Sequence, residues 1–320
     1  MPRLVRPTSL GSPDVLTVVD VPTPTPPADG VVVQVRAAGV NPIDWKLYSG
    51  MFHRVADEHR DAHGAAAALP SLGLECAGVV AEVGPEVTDV RVGDEVIVYP
   101  VTAAYADVVT VPATSIVGKP EGLGWAEAGG LMLAGTTAAH ALHAAGVGAG
   151  DTVLVHGGAG GVGLMGVQLA VSCGASVIAT ASTTNHDLLR SFGAVPVVYG
   201  AGLADRVRAV APDRVDAAVD FAGSDEALET SLELVADRGR IASIVGSPRR
   251  AEAGVHVIGN GPGQDAGTEF RLSVRGDLAE RAGSGALRVV VDSTFPLVEA
   301  AKAHEVGTAG HGPGKLVLVP

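Results

Sequence analysis

Short apolar runs follow one another through the second half of the chain, separated by stretches with helical spacing. Thr152–Val155 is such a run; it ends in His156 and a glycine-dense turn, after which Val162–Ala170 reads as a small-residue apolar helix. A strand at Ser176–Thr180, a helix around Asn185–Phe192, a strand at Val195–Tyr199 and a short helix near Ala204–Val210 come next. A strand at Val215–Phe221, a helix at Asp225–Val235 and strands at Arg240–Val245 and Val255–Ile258 complete the series. Strands alternating with helices need crossover connections, which predicts an α/β fold with a doubly wound parallel sheet of six strands.

The first third has a different rhythm. Leu16–Val21, Val31–Ala38, Leu74–Val83, Glu95–Tyr99 and Ala106–Val111 read as strands, with Pro and Gly punctuating the turns between them. Many short strands with such turns predict a small β-barrel that folds separately from the α/β region. Asn41-Pro42 starts a turn, and Ile43–Ser49 follows as a short helix. His53–Pro70 has the weak pattern of a loop, and Glu127–Gly150 reads as a helical connector. Near the end come an amphipathic helix at Thr268–Ala282, strands at Arg288–Val291 and Lys315–Val319, and a helix at Leu297–His304. These changes divide the chain into 1–121, 122–262 and a return segment, 263–320, that rejoins the first domain.

The glycine turn brings in chemistry. Gly158, Gly160 and Gly163 fit G-x-G-x-x-G, a weak signal alone in a chain with 43 glycines. Between a strand and a helix it reads as the entry to a Rossmann dinucleotide site. Glycines there let a pyrophosphate approach the backbone, and the helix N-terminus, with Gly161, Val162 and Gly163 in its first turn, offers N–H groups and dipole charge. An NAD site usually carries an acid at the end of the second strand; here Ala181-Ser182-Thr183 stands there, and no carboxylate occurs between Asp151 and Asp187. Hydroxyls at Ser182 and Thr183, added charge from His186 or Arg190, and Tyr199 at the end of the third strand favour NADPH over NADH. Arg190 reads equally well as part of a solvated helix face.

Composition narrows the field. The 320 residues are 47% apolar, enough for two cores, and the net charge of −13 without a basic block argues against a nucleic-acid partner. Cys76 and Cys173 are too few and too far apart for a disulfide framework or a cysteine-rich zinc site, and each reads as a small buried thiol. Thr152–His186 contains no Asp, Glu, Lys or Arg, yet its glycine turns break it before any membrane-spanning helix could form. Without an apolar signal segment in MPRLVRPTSL, a soluble cytoplasmic protein with no membrane partner is expected. His53, His59 and His63 are irregularly spaced, which suits loop histidines better than a metal site; His140 and His143 read as packed on one helix face.

Several motifs stand in a recognisable order: AAGVNPIDWK (37–46), GLECAGVVAEVG (73–84), VGDEV (92–96), YADVVTVP (105–112), VLVHGGAGGVG (153–163), VDAAVDFAG (215–223), GRIASI (239–244) and GPGKLVL (312–318). In these the chain resembles the zinc-independent quinone oxidoreductase branch of the medium-chain dehydrogenase/reductase superfamily. The resemblance implies a GroES-like β-barrel catalytic domain built from both chain ends beside a Rossmann domain. It also implies NADPH as cofactor, a small-molecule quinone or enone as substrate, and a homodimer or homotetramer. Zinc alcohol dehydrogenases of the wider superfamily carry a Cys ligand where this chain has Gly39-Val40-Asn41 and G-H-E where it has Gly73-Leu74-Glu75, so no metal is expected.

The family motifs carry roles onto residues. Asn41 matches a residue near nicotinamide and substrate, whose amide would bind the acceptor oxygen; its alternative is an Asx turn before Pro42. Asp44 matches an acid that organises Lys46 or a ribose hydroxyl, or caps the helix. Thr137 matches a threonine beside the nicotinamide, and Ala222, Gly223, Ile244 and Gly246 end Rossmann strands and line its pocket. Related enoyl reductases can carry a tyrosine proton donor where this chain has Phe52, which leaves Tyr48, His53 or water to protonate the product. An enoyl-thioester reductase and a non-catalytic NADPH-binding protein are the competing readings.

Overall fold

In the computed structural model, which describes residues 1–51, 69–211 and 213–320, strands dominate as far as Gly118 and alternate with helices thereafter. Phe52, His53, His59 and His63 lie outside the described residues. In chain order the elements are β1 (Arg3–Pro7), β2 (Leu16–Asp20), β3 (Gly30–Val40), α1 (Pro42–Tyr48), β4 (Cys76–Val83), β5 (Glu95–Val98), β6 (Val108–Pro112), β7 (Ile116–Gly118), α2 (Trp125–Gly129) and α3 (Met132–Ala144). Then come β8 (Thr152–His156), α4 (Gly161–Ser172), β9 (Ser176–Thr180), α5 (His186–Ser191), β10 (Val195–Val197), α6 (Leu203–Val210), β11 (Ala217–Asp220), α7 (Asp225–Leu234), β12 (Ile241–Ser243), α8 (Pro248–Glu252) and β13 (His256–Val257). The chain ends with α9 (Thr268–Ser273), α10 (Arg275–Ser284), β14 (Val291–Pro296), α11 (Ala300–Ala309) and β15 (Lys315–Val319). Among the described residues no helix is long and apolar enough to cross a membrane.

The first unit comprises Met1–Leu133 and Val291–Pro320. It is organised on β3, whose valine-rich sequence is buried along its length except at Gln34 and Arg36. Eleven residues make β3 long enough to serve three partners. β4 runs antiparallel along one edge; β6 pairs with Gly30–Gln34 and β15 with Ala38–Val40. β14 then adds to β15 in parallel, and β5 and β7 extend the side of β4. Val31, Val33, Leu72, Val98, Leu316 and Leu318 fill its core.

The second unit, Ala134–Val290, carries six parallel strands in the order β10-β9-β8-β11-β12-β13, the doubly wound arrangement expected from the sequence. Its centre is the charge-free stretch, and Val153, Leu154, Val155, Leu164 and Val167 are all buried. The turn after β8 is tied to β9: Gly157 N donates to Thr180 Oγ1 (3.1 Å) and Gly158 N to Thr180 O (2.9 Å). Gly163 lies so close beneath this turn that a Cβ there would sit 2.1 Å from Gly157 O.

The domain boundaries differ from those expected at 121/122 and 262/263. On the first side, Lys119 lies over the ring of Trp125 at 4.7 Å and Leu133 N donates to Glu75 Oε2, which binds α2 and the start of α3 to the first unit. On the second, residues up to Val290 stay with the parallel sheet. His143 stacks on Phe270 at 4.3 Å, His140 Nε2 meets Asp265 Oδ2 at 3.0 Å, and Gln168 bonds the backbone N–H and C=O of Arg288. The helix expected at Thr268–Ala282 breaks at Val274 into α9 and α10, and the strand expected at Arg288–Val291 begins only at Val291. Cys76 is buried as expected; Cys173 is exposed because it caps the C-terminus of α4.

A backbone carbonyl in a tight turn cannot yield to an added methyl. Gly163→Ala is therefore expected to cost about 1–3 kcal/mol of stability, read as a lower urea midpoint.

Candidate active site

In the first unit the chemistry starts at α1. Pro42 opens the helix, and Asp44, two residues on, turns back so that Oδ2 accepts the Asn41 backbone N–H at 2.9 Å, the return half of a capping box. A capping carboxylate usually faces water, but Asp44 is fully buried. Its Oδ1 accepts from Gly73 N (3.1 Å) and its Oδ2 also accepts from the Tyr105 hydroxyl (2.9 Å). Tyr105 Oη lies 3.1 Å from His304 Nε2, and His304 Nδ1 lies 2.8 Å from Tyr48 Oη. Tyr105 has one proton and gives it to Asp44, so the network assigns the other tautomer choices. His304 Nε2–H donates to Tyr105, and Tyr48 donates to His304 Nδ1.

A second cluster adjoins the first through Asn41. Lys315 Nζ donates to Glu75 Oε1 (3.1 Å), to Val40 O (3.2 Å) and to Asn41 Oδ1. Asn41 Nδ2 donates to Glu75 Oε1 (3.0 Å) and to Gly39 O (3.2 Å). Glu75 Oε2 accepts from Leu133 N at 2.8 Å. Asn41, Glu75 and Lys315 are all buried.

These contacts alter two expected roles. Both N–H bonds of the Asn41 amide are taken up inside the protein, so it is no open donor for an acceptor oxygen. Tyr48 is buried and gives its proton to His304, so it is no open proton donor either. Asp44 does cap α1, but its side chain holds Gly73 and Tyr105 rather than Lys46. Sequence reasoning gives no site role to Glu75, Tyr105, His304 or Lys315: Glu75, Tyr105 and Lys315 are lone polar residues beside apolar runs, and His304, next to Glu305, reads as a helix-surface position.

In the second unit the expected cofactor residues follow the C-terminal ends of parallel strands, apart from Thr137 on α3 and Arg190 on α5. Gly160 caps the N-terminus of α4, and Gly161, Val162 and Gly163 form its first turn. After β9, Ser182 Oγ lies 2.9 Å from Thr184 Oγ1 and accepts from Asn185 Nδ2 at 3.2 Å, while Thr183 is exposed. Arg190 pairs with exposed Asp187 at 2.7 Å, as on a solvated helix face. Tyr199 is exposed. The loop it begins is clamped by Arg206, which donates to the carbonyls of Val198 (2.9 Å), Gly200 (2.5 Å) and Ala201 (2.7 Å); nothing in the helical pattern of α6 marks that residue.

Ala222 N and Gly223 N both donate to Asp220 Oδ1, at 3.0 and 2.8 Å. Asp220 Oδ2 in turn accepts from Ser243 Oγ (3.0 Å) and from buried Arg250 (2.9 Å), so one carboxylate sets the ends of β11 and β12. Ile244 and Gly246 follow β12, with Ile244 N donating to Asp220 O at 3.1 Å. Thr137 Oγ1 accepts from Arg271 on α9.

A family model described as alcohol dehydrogenase GroES-like domain matches residues 27–147, and one described as zinc-binding dehydrogenase matches residues 192–318. Quinone oxidoreductase of Mus musculus is 32% identical over 336 residues, covering 99% of this chain and 97% of its own. The chain belongs to the quinone oxidoreductase branch of the medium-chain dehydrogenase/reductase superfamily. Escherichia coli quinone oxidoreductase, solved in complex with NADPH, superposes with a TM-score of 0.83 at 26% identity, covering 99% of this chain and 100% of that one. The CurK enoyl reductase superposes with a TM-score of 0.87 at 25% identity, covering 99% of each chain. The first unit is thus the GroES-like domain of this superfamily and the second its Rossmann domain.

Zinc does not suit the GroES-like domain of this superfamily member. At the two stretches where the resemblance puts zinc ligands it has Gly39-Val40-Asn41 and Gly73-Leu74-Glu75, and Glu75 is occupied by Lys315, Asn41 and Leu133. A catalytic zinc needs three protein ligands with deprotonated or lone-pair donors, and an ammonium beside the one carboxylate opposes a dication. Among the described residues no group of three or more His, Cys, Asp or Glu could hold a metal ion.

Burial pushes the Asp44 carboxyl up from 3.8 to about 6, against the pull of Tyr105, Gly73, Asn41 and Lys315. Burial pushes His304 down from 6.5 to about 4. The Asp44 shift contributes stability below pH 3.8 that is lost as pH rises through about 6. The His304 shift contributes stability above pH 6.5 that is lost as pH falls through about 4. Each amounts to roughly 3 kcal/mol at full extent, with opposite sign across the same window. The wild-type chain is therefore expected to show little slope from this pair between about pH 4 and 6. Asp44→Asn should leave stability rising with pH, and His304→Phe should leave it falling. Urea midpoints across that range check both signs, and equal slopes in the two variants would contradict the network.

Proposed function

We propose that this chain is an NADPH-dependent reductase of quinones or α,β-unsaturated carbonyls that works as a homodimer or homotetramer. The observation that carries the cofactor assignment is Gly160. Its backbone, at φ −72° and ψ 168°, is open to any residue, and a Cβ there would meet only Gly157 O at 3.6 Å. The fold has no need of glycine at this position, whereas a pyrophosphate seated on the first turn of α4 does. Hydroxyls of Ser182 and Thr183 in place of an acid support a 2′-phosphate, as does the NADPH complex of the Escherichia coli relative.

NADPH supplies a hydride when bound. In the Rossmann domain Gly158–Gly163 would hold its pyrophosphate, while Ser182, Thr183 and Tyr199 meet the adenosine end. Ala222, Gly223, Ile244 and Gly246, set by Asp220, would line the nicotinamide end with Thr137. Reducing an isolated carbonyl concentrates charge on one oxygen, where a Lewis acid helps. A conjugated acceptor spreads that charge, and hydrogen bonds then suffice. An apolar residue at Leu74 and a Glu75 carboxylate already occupied by Lys315, Asn41 and Leu133 do not suit a Lewis acid, which supports the conjugated acceptor. The likeness to CurK supports an enoyl thioester as the second candidate substrate.

Steady-state consumption of NADPH and NADH with 1,4-benzoquinone, 9,10-phenanthrenequinone, 2-cyclohexenone and crotonyl-CoA tests the reading. Turnover of a quinone or the enone, faster with NADPH, is expected. Turnover of crotonyl-CoA alone would move the assignment to enoyl thioesters, and binding without any turnover would end the enzyme reading. Gly160→Ala is expected to leave the urea midpoint unchanged while weakening NADPH binding by about tenfold or more, measured by fluorescence titration.

A further inference from the structure

We propose that Lys315 is a positioning residue for this reaction: its buried ammonium fixes the orientation of the Asn41 amide against Glu75. Through Asn41 it also fixes the start of α1, which carries Asp44. The proposal rests on the reductase reading above, but its geometry belongs to the GroES-like domain alone.

An amide can sit in two orientations that differ by exchanging its oxygen and nitrogen, and only its partners choose between them. At Asn41 the partners allow one. Oδ1 faces an ammonium, which can only donate, and Nδ2 faces the carboxylate of Glu75, which can only accept. The three protons of Lys315 are matched by three acceptors: Glu75 Oε1, Val40 O and Asn41 Oδ1. The cleared space is also specific. A Cβ on Gly39 would lie 2.4 Å from Glu75 Oε1 and 2.7 Å from Gly129 O, so a bare backbone at 39 admits the carboxylate.

The capping box also sets the Asn41 side chain against the Asp44 backbone N–H, so the polar atoms of this buried amide are all held inside the protein. Asn41 therefore acts by fixing the entry to α1, and with it Asp44, rather than as a free donor or acceptor. Removing the ammonium would release the amide to turn and would loosen the start of α1.

The surroundings supply an independent readout. The titratable groups facing this cluster are Glu75, Asp44, Tyr105, His304, Tyr48 and buried Cys76. Lys315 is the cation that favours the ionised form of Asp44, in opposition to burial. Without it Asp44 and Glu75 would be two buried carboxylates lacking that counter-charge, and Asp44 would keep its proton to higher pH.

The experiment compares wild type with Lys315→Met and the double variant Glu75→Gln/Lys315→Met, which leaves no uncompensated charge at 75. Lys315→Met is expected to lower kcat with 1,4-benzoquinone by about tenfold or more, while the dissociation constant for NADPH stays within about twofold. In the cofactor-free protein, the Asp44 midpoint read from the carboxyl carbon of labelled aspartate should rise. The double variant should recover wild-type thermal stability without recovering kcat. Recovery of both would make Lys315 a structural counter-ion only and overturn the proposal, as would an unchanged kcat in Lys315→Met. An unmoved Asp44 midpoint would overturn the coupling. Failure of wild type to oxidise NADPH with any acceptor would overturn the reductase reading, and the midpoint would still report whether Lys315 governs Asp44.

Discussion

A carboxylate withdrawn from water must be met by hydrogen bonds, by a counter-charge or by a proton. In the GroES-like domain Asp44 and Glu75 are both withdrawn, and the response to that constraint gathers residues from across the chain. Asn41 and Asp44 come from the entry to α1, Glu75 from the start of β4, Tyr105 from the approach to β6, His304 from α11 and Lys315 from β15. A hydrophobic core tolerates many arrangements of similar volume. A network with directional donors tolerates few, and this one determines how the C-terminal segment docks on β3.

The Rossmann domain meets the same problem by avoiding it and then concentrating it. From Thr152 to His186 there is no charged side chain except through protonation of histidine, so β8, α4 and β9 pack with small apolar groups. The central charge appears on β11, the neighbour of β8 in the sheet. Asp220 accepts four bonds from Ala222, Gly223, Ser243 and Arg250, and a single buried pair holds the ends of two strands. The backbone we propose to face NADPH is thereby held by hydrogen bonds within the protein, which would lower the ordering cost of binding.

Hydrophobic periodicity made the Rossmann domain readable, because crossover topology follows from the alternation of elements and the glycine turn falls between β8 and α4. The positions of Asn41 and Asp44 were legible too, since Asn-Pro followed by an acid announces a helix start. Their roles were not. A bond between Lys315 and Glu75 spans 240 residues, and no local pattern reports a contact at that separation. The return to the first unit, at Val291, comes later than the pattern of the sequence suggests for a related reason. Residues 263–290 look like a new amphipathic segment, and only their bonds to Thr137, His140, His143 and Gln168 assign them to the Rossmann domain.

The pairing of β15 with β3 sets an order on synthesis. The Rossmann domain is one unbroken stretch and is complete once Val290 has left the ribosome. β3 by then has β4 and β6 but lacks its partner along Ala38–Val40, and Glu75 and Asn41 lack their ammonium. Since domains generally fold as units during translation, the GroES-like domain, begun before the Rossmann domain, is completed after it, because β3 waits on β15 for the pairing along Ala38–Val40.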